Sequence, residues 1–260
     1  MSSPAHTVAT ADDVSLVDRL LSGRHMSAVL VVGKDGLPAG VVTRTDLLEI
    51  ARARVKLVGS KATLELPEIA VGDIMTREVI TIGPETSVAD AARLLVERHI
   101  HRVFVGDAKH IKGVFSTTDA IRAVMDARIE TPISAYMTSP ALSTQATDPI
   151  SQAIEALSQA GVAGVVVLDV DRAIGLFTQV EALEARDLPT TTPVEEVMTQ
   201  SMVCLPADTP MFRAAGFTFS TWARRVLATD HHHVRGILTG LDFARACAGL
   251  HDPERGVAAA

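Results

Sequence analysis

The sequence predicts an α/β protein assembled from four copies of a β-α-β-β-α unit, and three observations carry that expectation. First, 47% of the 260 residues are hydrophobic and 21% charged, which is ample for packed cores and excludes a disordered chain. Second, one seven-residue pattern recurs four times: Gly, two apolar residues, Thr or Ser, two variable residues, then an acid. The copies begin at Gly40, Gly113, Gly175 and Gly236 and end at Asp46, Asp119, Glu181 and Asp242. Third, a Met-Thr pair (Met75-Thr76, Met137-Thr138, Met198-Thr199) precedes the last three copies at a constant offset. Length alone allows one or two domains at roughly 150 residues each. The repeat turns that into four units of about 60 residues, each too small to be comfortable alone.

The elements follow in order within each unit, most legibly in the second. Val79 to Ile82 is a short β-branched segment leading into a Pro/Glu cluster of the kind that starts a helix. Val88 to Val96 has apolar residues at helical spacing, and Arg102 to Val105 reads as a strand. The polar turn Gly106 to His110 leads to a second strand, Lys112 to Ser116, and a last helix runs from about Thr117 to Ala127. Shifts of 62 and 123 residues carry this reading onto the third and fourth units without gaps. The units are expected at 1–60, 70–128, 131–188 and 192–250. The first starts near Thr7 without a Met-Thr lead-in, and Ala51 to Val71 reads as part helix and part linker.

These blocks resemble four cystathionine-β-synthase (CBS) domains in tandem. The resemblance also rests on the Thr81-Ile-Gly-Pro84 opening and on Arg98-His-Ile-His-Arg-Val-Phe-Val105. It implies that units 1 and 2, and units 3 and 4, pair into two pseudo-twofold Bateman modules with clefts between the paired units. It also implies a regulatory role through an adenosine ligand, AMP, ADP, ATP or S-adenosylmethionine, with no obligatory cofactor. By position, ribose contacts fall on Asp46, Asp119, Glu181 and Asp242, and hydroxyls near phosphate on Thr43, Ser116, Thr178 and Thr239. The adenine edge falls near Thr7, Thr81, Ser143 and Cys204. A basic position at the start of the middle strand is Arg102 and Arg225 in units 2 and 4 but Ala28 and Gly164 in units 1 and 3. Units 2 and 4 are therefore expected to hold phosphate better.

The same residue types admit another chemistry. A helix N-terminus welcomes phosphate because its first N–H groups lack internal partners, and an ionised Asp can accept two ribose hydroxyls. Yet Ser/Thr-x-x-Asp/Glu is also a capping box, so fold maintenance alone accounts for the block, and the sequence leaves both readings open.

Composition bounds the remaining classes. Net charge is −7 and aromatics are few, which argues against a nucleic-acid polymer as partner. Apolar runs are far shorter than a membrane span needs, and the N-terminus has no signal-peptide pattern. Two cysteines make neither a disulfide framework nor a thiolate zinc site, so a reducing cytoplasm is expected. His231-His-His233 reads as a solvated turn, since consecutive residues seldom share one metal. Trp222 reads as a packing residue. No catalytic motif is apparent. The expectation is a non-enzymatic regulator acting on a protein partner or as a homodimer, and the alternative is a ligand-free scaffold that assembles a partner complex.

Overall fold

The computed structural model describes residues 1, 3–22, 26–58, 61–107, 109–231 and 233–250; Ala108 of the first polar turn and His232 of the histidine run lie outside them. Unit 1 is β1 (Thr7–Ala9), α1 (Val14–Ser22), β2 (Ala28–Val32), β3 (Pro38–Thr43) and α2 (Arg44–Arg52). A hairpin of β4 (Val55–Val58) and β5 (Lys61–Leu64) follows, then the short helix α3 (Val71–Ile74). Unit 2 is β6 (Thr81–Ile82), α4 (Val88–Glu97), β7 (Arg102–Gly106), β8 (Ile111–Ser116) and α5 (Thr117–Asp126). Unit 3 is β9 (Ser143–Gln145), α6 (Ile150–Gln159), β10 (Gly164–Asp169), β11 (Arg172–Thr178) and α7 (Gln179–Glu184). Unit 4 is β12 (Val203–Pro206), α8 (Met211–Thr221), β13 (Arg225–Asp230), β14 (His233–Thr239) and α9 (Gly240–Cys247). The β-α-β-β-α order holds in every unit. In each, the first strand pairs parallel to the middle strand, as a helical crossover demands, and the middle strand pairs antiparallel to the last.

Two of the sequence expectations change. The stretch after α2 is a β-hairpin, not helix and linker: Val55 pairs with Leu64 and Leu57 with Ala62. Unit 1 also has a lead-in after all. Ser3 donates to the Lys112 carbonyl at 2.8 Å and Ser139 to the Arg235 carbonyl at 2.6 Å, so Ser3-Pro4 stands in register with Ser139-Pro140.

The lead-ins explain the block glycines. Thr76 bridges to Val41, Thr138 to Ile237 and Thr199 to Leu176, so each lead-in lies across the last strand of its partner unit, within the pairs 1–2 and 3–4. A Cβ at Gly40 would stand 2.6 Å from the Thr76 carbonyl oxygen, and one at Gly236 equally close to that of Thr138. Only glycine tolerates that approach. The two sequence signals are thus two sides of one contact.

The sheets of units 3 and 4 meet through Val166, Leu176, Leu227 and Ile237, the pairing the resemblance implies for the second module. Helices join the modules to each other. One apolar core runs through units 1 and 3, with Leu47, Ala51, Leu157 and Phe177 buried, and two more run through units 2 and 4, with Leu95, Val124, Met211 and Phe243 buried. At the 1–3 face Arg186 pairs with Asp18 at 3.1 Å, and Arg52 pairs with Glu155. The hairpin extends this face, since Leu64 N–H donates to the Arg186 carbonyl and Thr190 N–H to that of Ala62. Among the described residues no helix is long and apolar enough to cross a membrane.

Candidate functional site

Strand register builds the site. The basic position of each middle strand stands directly across from the hydroxyl that starts the last helix: Ala28 from Thr43, Arg102 from Ser116, Gly164 from Thr178 and Arg225 from Thr239. The structure therefore unites Arg102 with Ser116, and Arg225 with Thr239. The first-strand residues Thr7, Thr81, Ser143 and Cys204 register instead with Leu30, Phe104, Val166 and Leu227, two residues further along each middle strand.

The small residues of units 1 and 3 have a steric cause. A Cβ on Gly164 would lie 2.7 Å from Arg225 Nε, so glycine there makes room for the guanidinium of unit 4. In the other module Arg102 donates to Ser27, the neighbour of Ala28. Each module thus carries one arginine that reaches from its even-numbered unit over its odd-numbered one.

Two cations that the sequence reading left unassigned join them, Arg44 and Arg224. Burial, reinforced by Arg224 and Arg44, pulls Arg102 down to about 10. Burial and Arg224 do the same to Arg225, with Glu181 offsetting part of the effect. Arg44 also falls to about 10 through burial and Arg224, against the pull of Glu181 and Glu184. Partial loss of hydration lowers Arg224 as well, although its side chain reaches the surface. Among the described residues no carboxylate lies within ion-pair distance of Arg44, Arg102 or Arg225. Arg44 Nη2 instead donates to the Leu21 carbonyl at 2.6 Å. His101 sits beside the cluster, its outer edge exposed, and is held down to about 4 by loss of hydration on its inner side and by Arg102, Arg225 and Arg224. Contributions from units 1, 2 and 4 thus produce a local positive field in an acidic protein, the arrangement that binds an anion of several charges.

Arg44 was detectable in principle. It fills the first variable position of the block, whose counterparts are Thr117, Gln179 and Gly240. These meet across the modules: Gln179 donates to Thr45 at 3.0 Å, and a Cβ on Gly240 would touch Thr117 at 2.7 Å. The repeat marks the position, but only the helix packing shows that it faces inwards.

All four block acids make capping boxes. The Thr43 N–H and hydroxyl donate to Asp46 Oδ2 at 2.7 Å each, and Ser116 does the same to Asp119 at 2.9 and 3.1 Å. Thr178 caps with Glu181, whose longer side chain still reaches back. Thr239 donates to Asp242 Oδ2 at 2.7 and 2.9 Å. Their second oxygens differ. Asp242 is 2% exposed and its Oδ1 holds Arg245, whereas Asp119 Oδ1 faces the Met1 amine. Asp46 is half-buried and free of an ion pair among the described residues.

Two cavities lie elsewhere. One of about 720 Å³ is lined by Cys204, Thr229, His233 and the Asp169 to Ala173 turn. A larger one, about 930 Å³, opens between the hairpin and the end of unit 3 and includes Lys61, Thr63 and Arg186. Neither contains a residue of the arginine cluster. His231 and His233 flank the β13–β14 turn, with His231 Nε2 3.6 Å from Asp230, and no group of three metal-ligating side chains occurs among the described residues.

Comparison with known proteins agrees with the repeat. The family model described as CBS domain matches residues 1–53, 71–126, 133–187 and 194–249. The mitochondrial CBS domain-containing protein CBSX3 of Arabidopsis thaliana is 33% identical over 120 residues, 45% of this chain and 54% of that protein. The SNF1-related protein kinase regulatory subunit gamma-like PV42a of the same plant is 29% identical over 120 residues, 45% of this chain and 31% of that protein. Each match spans little more than half of the relative's length or less. The crystal structure of MJ1225 from Methanocaldococcus jannaschii superposes with a TM-score of 0.81 at 15% identity, covering 95% of this chain and 97% of that one, which establishes a shared fold.

Proposed function

Because the chain belongs to the CBS-domain family, with four matched segments spanning nearly all of it, we propose that it is a regulatory protein that senses an adenine nucleotide, AMP, ADP or ATP. The observation that carries this reading is the convergence of Arg44, Arg102, Arg224 and Arg225, three of them held near 10 by burial and by one another. Holding Arg44, Arg102 and Arg225 together, with no carboxylate of the described residues within ion-pair distance of them, is unfavourable until an anion arrives, and hydrogen bonds from such groups to phosphate contribute roughly 1.5–3 kcal/mol each. S-adenosylmethionine suits the cluster less well, since its sulfonium would meet the guanidinium groups as a like charge. A ribose contact at Asp46 fits this reading best, because its second carboxylate oxygen is free of an ion pair among the described residues; at Asp119 a ribose would have to displace the Met1 amine from the second oxygen. At Asp242 and Glu181 the cap is the role the geometry favours.

The regulatory step we infer is a shift of one module against the other as phosphate draws arginines from both inward, with coupling of about 1–3 kcal/mol to a partner protein. The kinase regulatory subunit-like relative is consistent with such a role. Calorimetric titration with AMP, ATP and S-adenosylmethionine tests the proposal. ATP or AMP should bind, S-adenosylmethionine should bind at least roughly tenfold more weakly, and Arg102→Ala with Arg225→Ala should abolish nucleotide heat. A silent titration with all three at millimolar concentration would leave the ligand-free scaffold as the better reading, which the complete capping boxes favour.

A further inference from the structure

The chain has 7 Phe, 1 Trp and 1 Tyr, and Phe212, Phe217, Phe219 and Trp222 all fall on α8 and its C-cap. The repeat does not need them. Positions in register are Ala89, Leu94, Val96 and His99 in unit 2 and Ser151, Ala156, Ser158 and Gly161 in unit 3. α8 buries Met211, Ala214, Ala215 and Thr218, while Phe217 is 50% and Trp222 65% exposed. Packing therefore does not account for Trp222, contrary to the sequence expectation. Its φ of 56° is left-handed, a conformation a bulky residue rarely adopts, and its ring stacks on Phe219 with centroids 6.4 Å apart. Next to Phe217 the surface is open, since a Cβ on Gly216 would meet nothing within 4 Å.

Arginines lie over the other two rings of the helix. Arg122 lies over the Phe219 ring at 4.8 Å, and Arg128 and Arg213 lie over Phe212 at 5.1 and 5.8 Å. All three are exposed. Exposed aromatic rings with arginines are the composition of interface hot spots, and guanidinium groups held over rings still offer their N–H edges to carboxylates.

We propose that the outer face of α8, with Trp222 at its end, docks an acidic segment of a partner protein that carries apolar anchors. Carboxylates of the segment engage Arg122, Arg128 and Arg213, and its apolar side chains cover Phe217 and Trp222. A second copy of this chain is the poorer occupant, because at −7 its net charge repels itself.

Trp222 is the single tryptophan, so its emission reports on this face directly. Random short peptides displayed on phage would be selected on the full chain and counter-selected on Phe217→Ser, an exposed substitution that leaves folding intact. Selected peptides should carry Asp or Glu beside Leu, Ile, Phe or Met and should shift Trp222 emission to the blue. They should bind Phe217→Ser at least roughly tenfold more weakly, as should their Asn/Gln counterparts to the natural chain. Unchanged ATP heat in Phe217→Ser would separate this face from the nucleotide site. Peptides that lack acids, bind both forms equally or leave the emission unmoved would overturn the proposal. So would self-association abolished by Phe217→Ser, or an emission shift produced by oligothymidylate instead.

Discussion

Arg225 and Gly164 form one contact rather than a residue kept and a residue lost. Their sequence neighbourhoods show a basic position filled in unit 4 and emptied in unit 3. The 2.7 Å approach of Arg225 Nε to a Cβ at Gly164 supplies the reason. Gly164→Ala should therefore push the Arg225 guanidinium aside, weakening nucleotide binding while leaving the urea midpoint nearly unchanged, since the atoms it meets end a flexible side chain. His101 makes a prediction on pH. Its folded value of about 4 lies below the ordinary 6.5, so the unfolded chain takes up the proton first as pH falls. The stability from His101 is complete above 6.5 and drains away between 6.5 and 4. His101→Gln should flatten the stability profile across that window, and an unchanged profile would contradict the assignment. A phosphate bound beside His101 raises its proton affinity, so nucleotide affinity in the natural chain should increase towards the acidic side. At this scale the sequence revealed Arg102 and Arg225, because the repeat supplies the register. It did not reveal Arg44, because nothing in Thr43-Arg-Thr-Asp46 says which way the second residue faces.

At the scale of elements, the helix starts serve two masters. All four capping boxes are complete within the chain itself, so the block serves the fold whatever else it does. Thr239→Ala should cost about 1 kcal/mol in chemical denaturation and leave nucleotide affinity nearly untouched, since Asp242 is spent on its cap and on Arg245. Asp119→Ala should instead reduce affinity by more than its loss of stability explains. The helices and strands of units 2 to 4 were readable from apolar spacing and turn residues. The β4–β5 hairpin was not, because Lys56 and Lys61 interrupt its apolar residues and no other unit has a counterpart. Its strands are explained by partners distant in sequence, Arg186 and Thr190, which no local pattern discloses.

The whole molecule is held by two kinds of contact, sheets and lead-ins within each module and helices between modules. Four units were legible from the repeat. Which units share a helical core was not, because the amphipathic stripes of α2, α5, α7 and α9 are alike and any pairing would bury them. The structure joins unit 1 to 3 and unit 2 to 4, placing arginines from both modules around one centre. Separately expressed fragments 1–128 and 129–250 should therefore associate into a one-to-one complex on size-exclusion chromatography, since each alone leaves those helical stripes exposed. The central claim is that this shared centre is where nucleotide phosphate binds. A crystal structure of the full chain grown with ATP tests it most directly. The account predicts phosphate density within hydrogen-bonding distance of Arg102 and Arg225. Nucleotide seated only in the cavity beside Cys204, with the arginine cluster untouched, would contradict it.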